Sequence, residues 1–194
     1  MNHPYINVIA VRNENPSDHS NYRGMAPLAE IVSAGIDGAA GNWDDVDNAI
    51  IWAHDQYNVH IMNASFTTVT GNQSDDMEWI DRVFDYYVRY YRISMIVAAG
   101  NQTQGNHIGS PAKAYNVLTV GATDDRRTIA WDDQMWINSA WKNPKKNDGV
   151  YGDREKPEVV ASGVGMTVLD QYGIPRYLAD GTSVSSPLVA GLAA

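Results

Sequence analysis

No cysteine occurs in the 194 residues, which excludes both a disulfide scaffold and a zinc–thiolate site. Basic residues are scarce: 14 Lys and Arg stand against 23 Asp and Glu, a formal charge of -9 that gives nucleic acid or an anionic lipid face nothing to hold. Long apolar runs are missing as well. None approaches the roughly 20 residues that cross a bilayer, and no basic-then-apolar leader opens the chain, so neither a membrane span nor an export signal is expected. The compartment stays open. With 44% hydrophobic and 19% charged positions the chain is too apolar for disorder, and its length suits one globular domain over 1–194 with a true core.

Strand-length apolar runs alternate with segments of helical period, the pattern of a mostly parallel sheet flanked by helices in a three-layer α/β fold. Residues 5–11 open on such a run, and a polar loop from Arg12 to Arg23 follows. A strand is expected over Glu30–Ile36. Asn42 can cap a helix with Asp45 at its third position and Val46, Ala49, Ile50 and Ala53 on one face. Val59–Met62 reads as the next strand. From Ser74 the acidic Asp75, Asp76 and Glu78 suit a helix start, and Met77, Ile80, Val83, Phe84, Tyr87, Val88 and Tyr91 form a stripe that reads as core rather than a ligand box. Residues 94–99 and 116–122 read as central strands. Trp131–Asp153 reads as a surface excursion with Lys142, Lys145 and Lys146 solvated, and Val159–Ala161 as a short strand. Met166–Asp170 and Arg176–Leu178 read as a hairpin turned at Tyr172-Gly173, and an apolar helix closes the chain.

Chemistry concentrates in two places. Gly181-Thr182-Ser183 precedes the last helix, with Pro187 expected in its first turn, where a missing N–H costs little. A serine hydroxyl at such a helix start lies among free N–H groups that favour developing negative charge, although capping is the plainer role for Ser183. Ala98-Ala99-Gly100-Asn101 ends a predicted strand, where ligands of parallel α/β sheets sit. An asparagine there can aim its amide at a reacting carbonyl oxygen, although a Gly-Asn after a strand also makes an ordinary turn.

Together with Asn63-Ala64-Ser65, these pieces resemble the subtilisin-like serine peptidases, the subtilase family. Gly24-Met25-Ala26-Pro27 is similar to the family's G-x-A-P, Asn63-Ala64-Ser65 to its N-x-S, and Ala99-Gly100-Asn101 to its A-G-N. Ser110-Pro111-Ala112 with Val117–Ala122 resembles S-P-A…V-x-x-V-G-A, and Lys156-Pro157-Glu158-Val159-Val160-Ala161 resembles K-P-D-[IV]-x-A. Gly181-Thr182-Ser183, Pro187 and Val189-Ala190-Gly191 resemble G-T-S-x-[AS]-x-P-x-V-A-G. Each is weak alone; their shared order is not. The resemblance implies that Ser183 is the nucleophile of a serine endopeptidase and that Asn101 donates to the oxyanion beside the Ser183 N–H. It also implies an extended polypeptide substrate lying as a strand beside Ser65, Phe66 and Thr67. The substrate side chain would enter a pocket floored by Ala98, Ala99 and Gly100 and narrowed by Phe66 and Thr67. Thr182 and Ser185 read as structural.

The family's catalytic His and Asp have no match here. Aligning Val8-Ile9-Ala10 with the apolar end of the family's H-G-T-x-V-A-x-x-x-A helix puts the histidine at Met1. His3 then falls about 200° around that helix, facing away. His19, His54, His60 and His107 read as surface or turn residues. The chain is therefore expected to be a domain core incomplete at both ends and inactive alone, lacking the strand that carries the Asp. An N-terminal fragment or a second copy would complete the sheet. The alternative is a pseudo-peptidase serving as a peptide-binding or scaffold module. An α/β-hydrolase esterase is disfavoured, because no G-x-S-x-G elbow occurs. No cofactor is implied; calcium is a family habit, but no D-x-[DN]-x-[DN]-G loop is present to assign it, and Asp18, Asp124 and Asp125 read as turn formers. The family's usual place is secreted or at the cell envelope.

Overall fold

A computed structural model describes residues 24–35, 43–68, 76–101, 106–126, 128–129, 132–144, 154–169, 174–177 and 180–194. Asp44 and Asp45 occupy the first turn of α1 (Trp43–Tyr57), where free N–H groups favour negative charge, and Val46, Ile50 and Ala53 bury at helical spacing. Asn58 ends the helix in the left-handed region (φ 51°), its N–H donating to the His54 carbonyl at 2.8 Å. The strand that follows, β1, spans Ile61–Ala64 rather than the expected Val59–Met62. Its bounds come from its partner: Ile61 to Ala64 pair with Ser94 to Val97, and Asn63 continues the ladder because its side chain is satisfied elsewhere.

α2 spans Trp79–Tyr86, not the start at Ser74 that the acidic cluster suggested. The Glu78 side chain accepts from the third-position backbone while Asp81 Oδ2 accepts from the Glu78 N–H at 2.7 Å, and this reciprocal cap fixes the start. Asp76 and Glu78 therefore precede the helix. It runs on through a π-helical turn, Tyr87–Tyr91, closed by left-handed Arg92. Ile80, Phe84 and Tyr87 are buried and Val83, Val88 and Tyr91 pack against them, so the stripe is core from Ile80 on, while Met77 precedes the helix and stands outside that cluster. The Tyr87 hydroxyl donates to Asp47 Oδ1 and ties α2 to α1.

β2 (Ser94–Ala98), β3 (Leu118–Asp124) and β5 (Val159–Ser162) run parallel to β1 in the order β1-β2-β3-β5, while β4 (Gln134–Met135) lies antiparallel on the end of β3. β6 (Thr167–Leu169) and β7 (Pro175–Tyr177) make a separate hairpin whose turn lies outside the described residues. α3 (Thr182–Ala193) ends the chain. Strand alternation decides the layers. Met95 and Val97 join Val46, Ile50, Ile80 and Phe84 on one face, whereas Ile96 and Val120 join Ala190 of α3 on the other. Because β2 and β3 are covered on both faces, they read as continuous apolar runs. This is the three-layer α/β arrangement that the alternating pattern predicts.

Three expectations are corrected. Residues 30–35 form no strand, and no strand borders the outer edge of β1 among the described residues. An apolar run becomes a strand only where a neighbour takes its backbone bonds. The excursion after Trp131 is not all surface. Ser139 and Ala140 are fully buried; Ser139 Oγ accepts from the Ala122 N–H at 3.0 Å, and the Ala140 N–H donates to the Gly100 carbonyl at 2.9 Å. Lys142 lies 3.3 Å from His107 Nε2 rather than free in solvent, while Lys145 and Lys146 fall outside the described residues. Finally, Pro187 lies beyond the first turn, because α3 already begins at Thr182. The N–H that proline lacks is the one that would have donated to the Ser183 carbonyl.

Buried charges pin the loops behind the sheet. Lys156 Nζ donates to the Val117 carbonyl at 3.0 Å and pairs with Glu158 at 2.6 Å; burial still pushes its pKa below the ordinary lysine value. Asp81 is also fully buried. Its Oδ2 accepts from Ser110 Oγ at 2.7 Å, its Oδ1 has no partner among the described residues, and burial raises its pKa above the usual 3.8. A raised folded-state pKa means that the unfolded chain releases this proton first, so this carboxyl's contribution to stability falls as pH rises from 3.8 towards the folded value. Asp81→Asn is expected to remove that slope. Urea unfolding of both proteins across this interval should give curves that diverge with rising pH, and parallel curves would contradict the assignment.

Candidate active site

The turn before α3 is anchored from below. The Gly181 N–H donates to the Gly163 carbonyl at 2.8 Å and the Gly163 N–H to the Thr123 carbonyl at 2.9 Å, which holds the helix start against the carboxyl ends of β3 and β5. Gly163 permits this approach, since a Cβ there would meet Ala122 Cβ at 2.6 Å. Gly181 is the N-cap residue and Ser183 the second residue of the helix, so Ser183 is not the cap. Its N–H has no helical acceptor.

Asn101 reaches the same place from the end of β2. Gly100 turns the chain at φ 111°, a conformation that suits glycine, and its N–H donates to Thr182 Oγ1 at 3.1 Å. Thr182 in turn donates twice to Asn101 Oδ1, from its N–H at 2.8 Å and from its hydroxyl at 2.9 Å. With the oxygen held, the orientation of the carboxamide is fixed and Nδ2 faces outward. A methyl group placed on Gly181 would lie 2.9 Å from Asn101 Nδ2 and 3.2 Å from Ser183 Oγ. A hydroxyl and an amide donor, far apart along the chain, thus flank one small space beside Gly181. Ser183 Oγ itself makes no hydrogen bond among the described residues.

The segment after β1 runs alongside. Ser65 Oγ accepts from Asn63 Nδ2 at 2.8 Å, and the Thr68 N–H donates to the Ser110 carbonyl at 2.8 Å. Thr67 packs between two glycines: its Oγ1 would lie 3.3 Å from a Cβ on Gly100, and its Cβ 2.8 Å from one on Gly109. Ala98, Ala99 and Gly100 are buried at the end of β2. Phe66 packs instead towards the helical core, its ring 6.3 Å from that of Trp43.

The histidines lie apart. His54 lies in the last turn of α1, with Nδ1 2.8 Å from Asp55 Oδ1 and its ring in a T-shaped contact with Tyr91; His60 sits in the loop before β1 and His107 meets Lys142. Met1, His3 and His19 fall outside the described residues, as do Asn42 and Asp18. Asp124 Oδ1 accepts from the Arg126 N–H at 2.9 Å, as a turn former does, whereas Asp125 accepts from Ser162 Oγ. Among the described residues no three His, Cys, Asp or Glu side chains gather as metal ligands would. No helix among them is long and apolar enough to cross a membrane. Sequence reasoning missed the tethering of Asn101 by Thr182 and the support that Gly163 and Ser139 give the two turns.

Gly181 has φ 169°, extended backbone open to any residue, so Gly181→Ala adds a methyl group without backbone strain. It is expected to slow covalent labelling of Ser183 by about 10²-fold through displacement of the paired groups. Labelling at the wild-type rate would show that the space beside Gly181 is not where chemistry occurs.

The class these features define is an α/β domain with a serine hydroxyl and a carboxamide donor meeting at a helix start. Residues 8–194 match the family profile described as Peptidase S8, Subtilase family, and the chain belongs to that family. It is 28% identical to the serine protease AprX of Bacillus subtilis strain 168 over 95% of this chain and 46% of that protein, so it spans less than half of that relative's length. Among solved structures, the S41 psychrophilic protease superposes with a TM-score of 0.71 at 26% identity, over 97% of this chain and 60% of that one. The PatG macrocyclase in complex with peptide shares the fold, with a TM-score of 0.68 at 18% identity over 96% of this chain and 49% of that one.

Proposed function

We propose that this chain is the catalytic core of a subtilisin-type serine endopeptidase. Ser183 Oγ attacks the carbonyl carbon of a peptide bond, and the oxyanion that forms accepts from Asn101 Nδ2 and the Ser183 N–H. The observation that carries this is the convergence of Nδ2 and Oγ on the space beside Gly181, with Asn101 Oδ1 already committed to Thr182. The substrate lies extended along Ser65, Phe66 and Thr67, over a floor of Ala98, Ala99 and Gly100; a relative solved with bound peptide supports a peptide partner.

A serine hydroxyl needs a base, and the base with its orienting carboxylate comes from outside the described residues. Without them the rate is limited to the roughly 10³- to 10⁴-fold over water that binding and the oxyanion donors supply. The outer edge of β1 would accept a further strand, from an N-terminal fragment or a second copy, and so gain the ladder it lacks among the described residues.

A fluorophosphonate probe on the full-length protein is expected to leave its adduct on Ser183, located by mass spectrometry of the digested protein. No adduct at this position would remove the enzymatic reading and favour a peptide-binding module without catalysis.

A further inference from the structure

We propose that Ser186 and Asn63 are positioning residues that tie the helix carrying Ser183 to the edge on which the substrate lies, an inference that rests on the reading of Ser65–Thr67 as that edge. Ser186 stands three residues after Ser183, on the same side of α3, and is fully buried. Its hydroxyl donates to Asn63 Oδ1 at 2.6 Å, and Asn63 Nδ2 donates to Ser65 Oγ at 2.8 Å. One relay thus runs from the nucleophile's helix, through the side chain of β1, to the first residue of the edge.

β1 shows why the relay is polar. Met62 and Ala64 point into the core beneath α1 and α2, while Ile61 packs on the α3 side. Asn63 shares that side by strand alternation. An apolar residue at 63 could pack there as well, yet it would leave the Ser65 hydroxyl free to turn. A hydrogen-bonded amide is directional: with Oδ1 held by Ser186, Nδ2 can only face Ser65.

Pro187 supplies the need for such a tie. It removes the helical donor to the Ser183 carbonyl, so the stretch from Ser183 to Pro187 is held less firmly by the ladder of α3 itself. A bond from Ser186 fastens β1 to this stretch, while the helix start at Ser183 keeps its own anchors in the Gly181–Gly163 and Thr182–Asn101 bonds. The position of a peptide laid along Ser65–Thr67 relative to the nucleophile's helix is then set by two hydrogen bonds.

The test uses Ser186→Ala, Asn63→Asp and the double variant of the full-length protein. Asn63→Asp keeps an acceptor for Ser186 and loses the donor to Ser65. Affinity for a fluorescein-labelled Ala-Ala-Pro-Ala peptide is measured by fluorescence anisotropy in a Ser183→Ala background, and the rate of fluorophosphonate labelling in the Ser183 background. Each single change is expected to weaken peptide binding by about tenfold, and the double change no more than either alone, because both cut one relay. Labelling by the small probe, which does not lie along the edge, is expected to stay within about twofold of the unaltered rate. Unchanged peptide affinity, no measurable peptide binding by any of the proteins, losses that add in the double variant, or a matching fall in labelling would each overturn the proposal. A full-length protein that binds the peptide but takes no label would overturn the peptidase reading while leaving the relay measurable.

Discussion

Ser183→Ala is expected to lower kcat of the full-length protein on peptides by about 10⁶-fold without lowering its stability. The two halves of this expectation have separate causes. On the proposed reading the hydroxyl is the group that forms the covalent bond to the substrate carbonyl carbon, and no neighbouring side chain in the site can replace it: Thr182 is committed to Asn101, and Ser185 donates to the Thr182 carbonyl at 3.1 Å. The same hydroxyl makes no hydrogen bond among the described residues, so its removal leaves no buried partner unsatisfied. Alanine is also the better helix former by about 0.5 kcal/mol, which should hold the unfolding midpoint or raise it slightly. A serine that stabilised the helix as a cap would behave in the opposite way, with lost stability and little lost rate. Thermal unfolding and steady-state kinetics on one pair of proteins therefore separate a nucleophile from a cap.

Asn101→Asp is expected to cost about 10²- to 10³-fold in kcat, equivalent to roughly 3–4 kcal/mol of transition-state stabilisation, with KM changed far less. The substitution is more discriminating than alanine. Aspartate retains an oxygen to accept from the Thr182 N–H and hydroxyl, so the tether at 2.8 and 2.9 Å can persist and the turn should stay in place. What changes is the atom facing the space beside Gly181, from an amide donor to a carboxylate oxygen that repels a developing oxyanion. Alanine at this position would also strip the Thr182 N–H of its partner and mix a stability loss of about 1–3 kcal/mol into the result. An aspartate variant with wild-type kcat would mean that the oxyanion is held elsewhere.

How much of this was legible in the sequence depends on the range of the interaction. β2 and β3 could be read because both of their faces are covered, which writes an unbroken apolar run into the chain. The stripe of α2 was legible because one face alone is buried at helical spacing, but its start was not: Asp75, Asp76, Glu78 and Asp81 all offer capping groups, and only the closed box between Glu78 and Asp81 selects one. Residues 30–35 carry strand-like apolar content, yet their state depends on a neighbour that their own sequence does not encode. The site divides in the same way. Ser183 and Asn101 stood out because glycine turns next to a helix start and a strand end are local signals. The bonds that make them a site join Thr182 to Asn101 across 81 positions and Ser186 to Asn63 across 123, and no local pattern registers such a pair.

The relay through Asn63 gives the family-like N-x-S segment a physical role. Asn63 is held in a strand by β2, Ser65 lies just beyond the strand's end, and the amide between them fixes one to the other. The same logic holds at the far end of the edge, where the Ser110 N–H donates to Thr68 Oγ1 at 3.2 Å and the Ser110 hydroxyl is anchored on Asp81. The proposed substrate edge is thus braced at both ends by elements far from it in sequence. That arrangement suits a surface that must meet an extended peptide without rearranging.

The most direct measurement is a crystal structure of the full-length protein after reaction with a fluorophosphonate. The account predicts phosphorus bonded to Ser183 Oγ, with the phosphoryl oxygen about 2.7–3.1 Å from both Asn101 Nδ2 and the Ser183 N–H. An adduct whose oxygen points away from Asn101, or one carried on another residue, would contradict it.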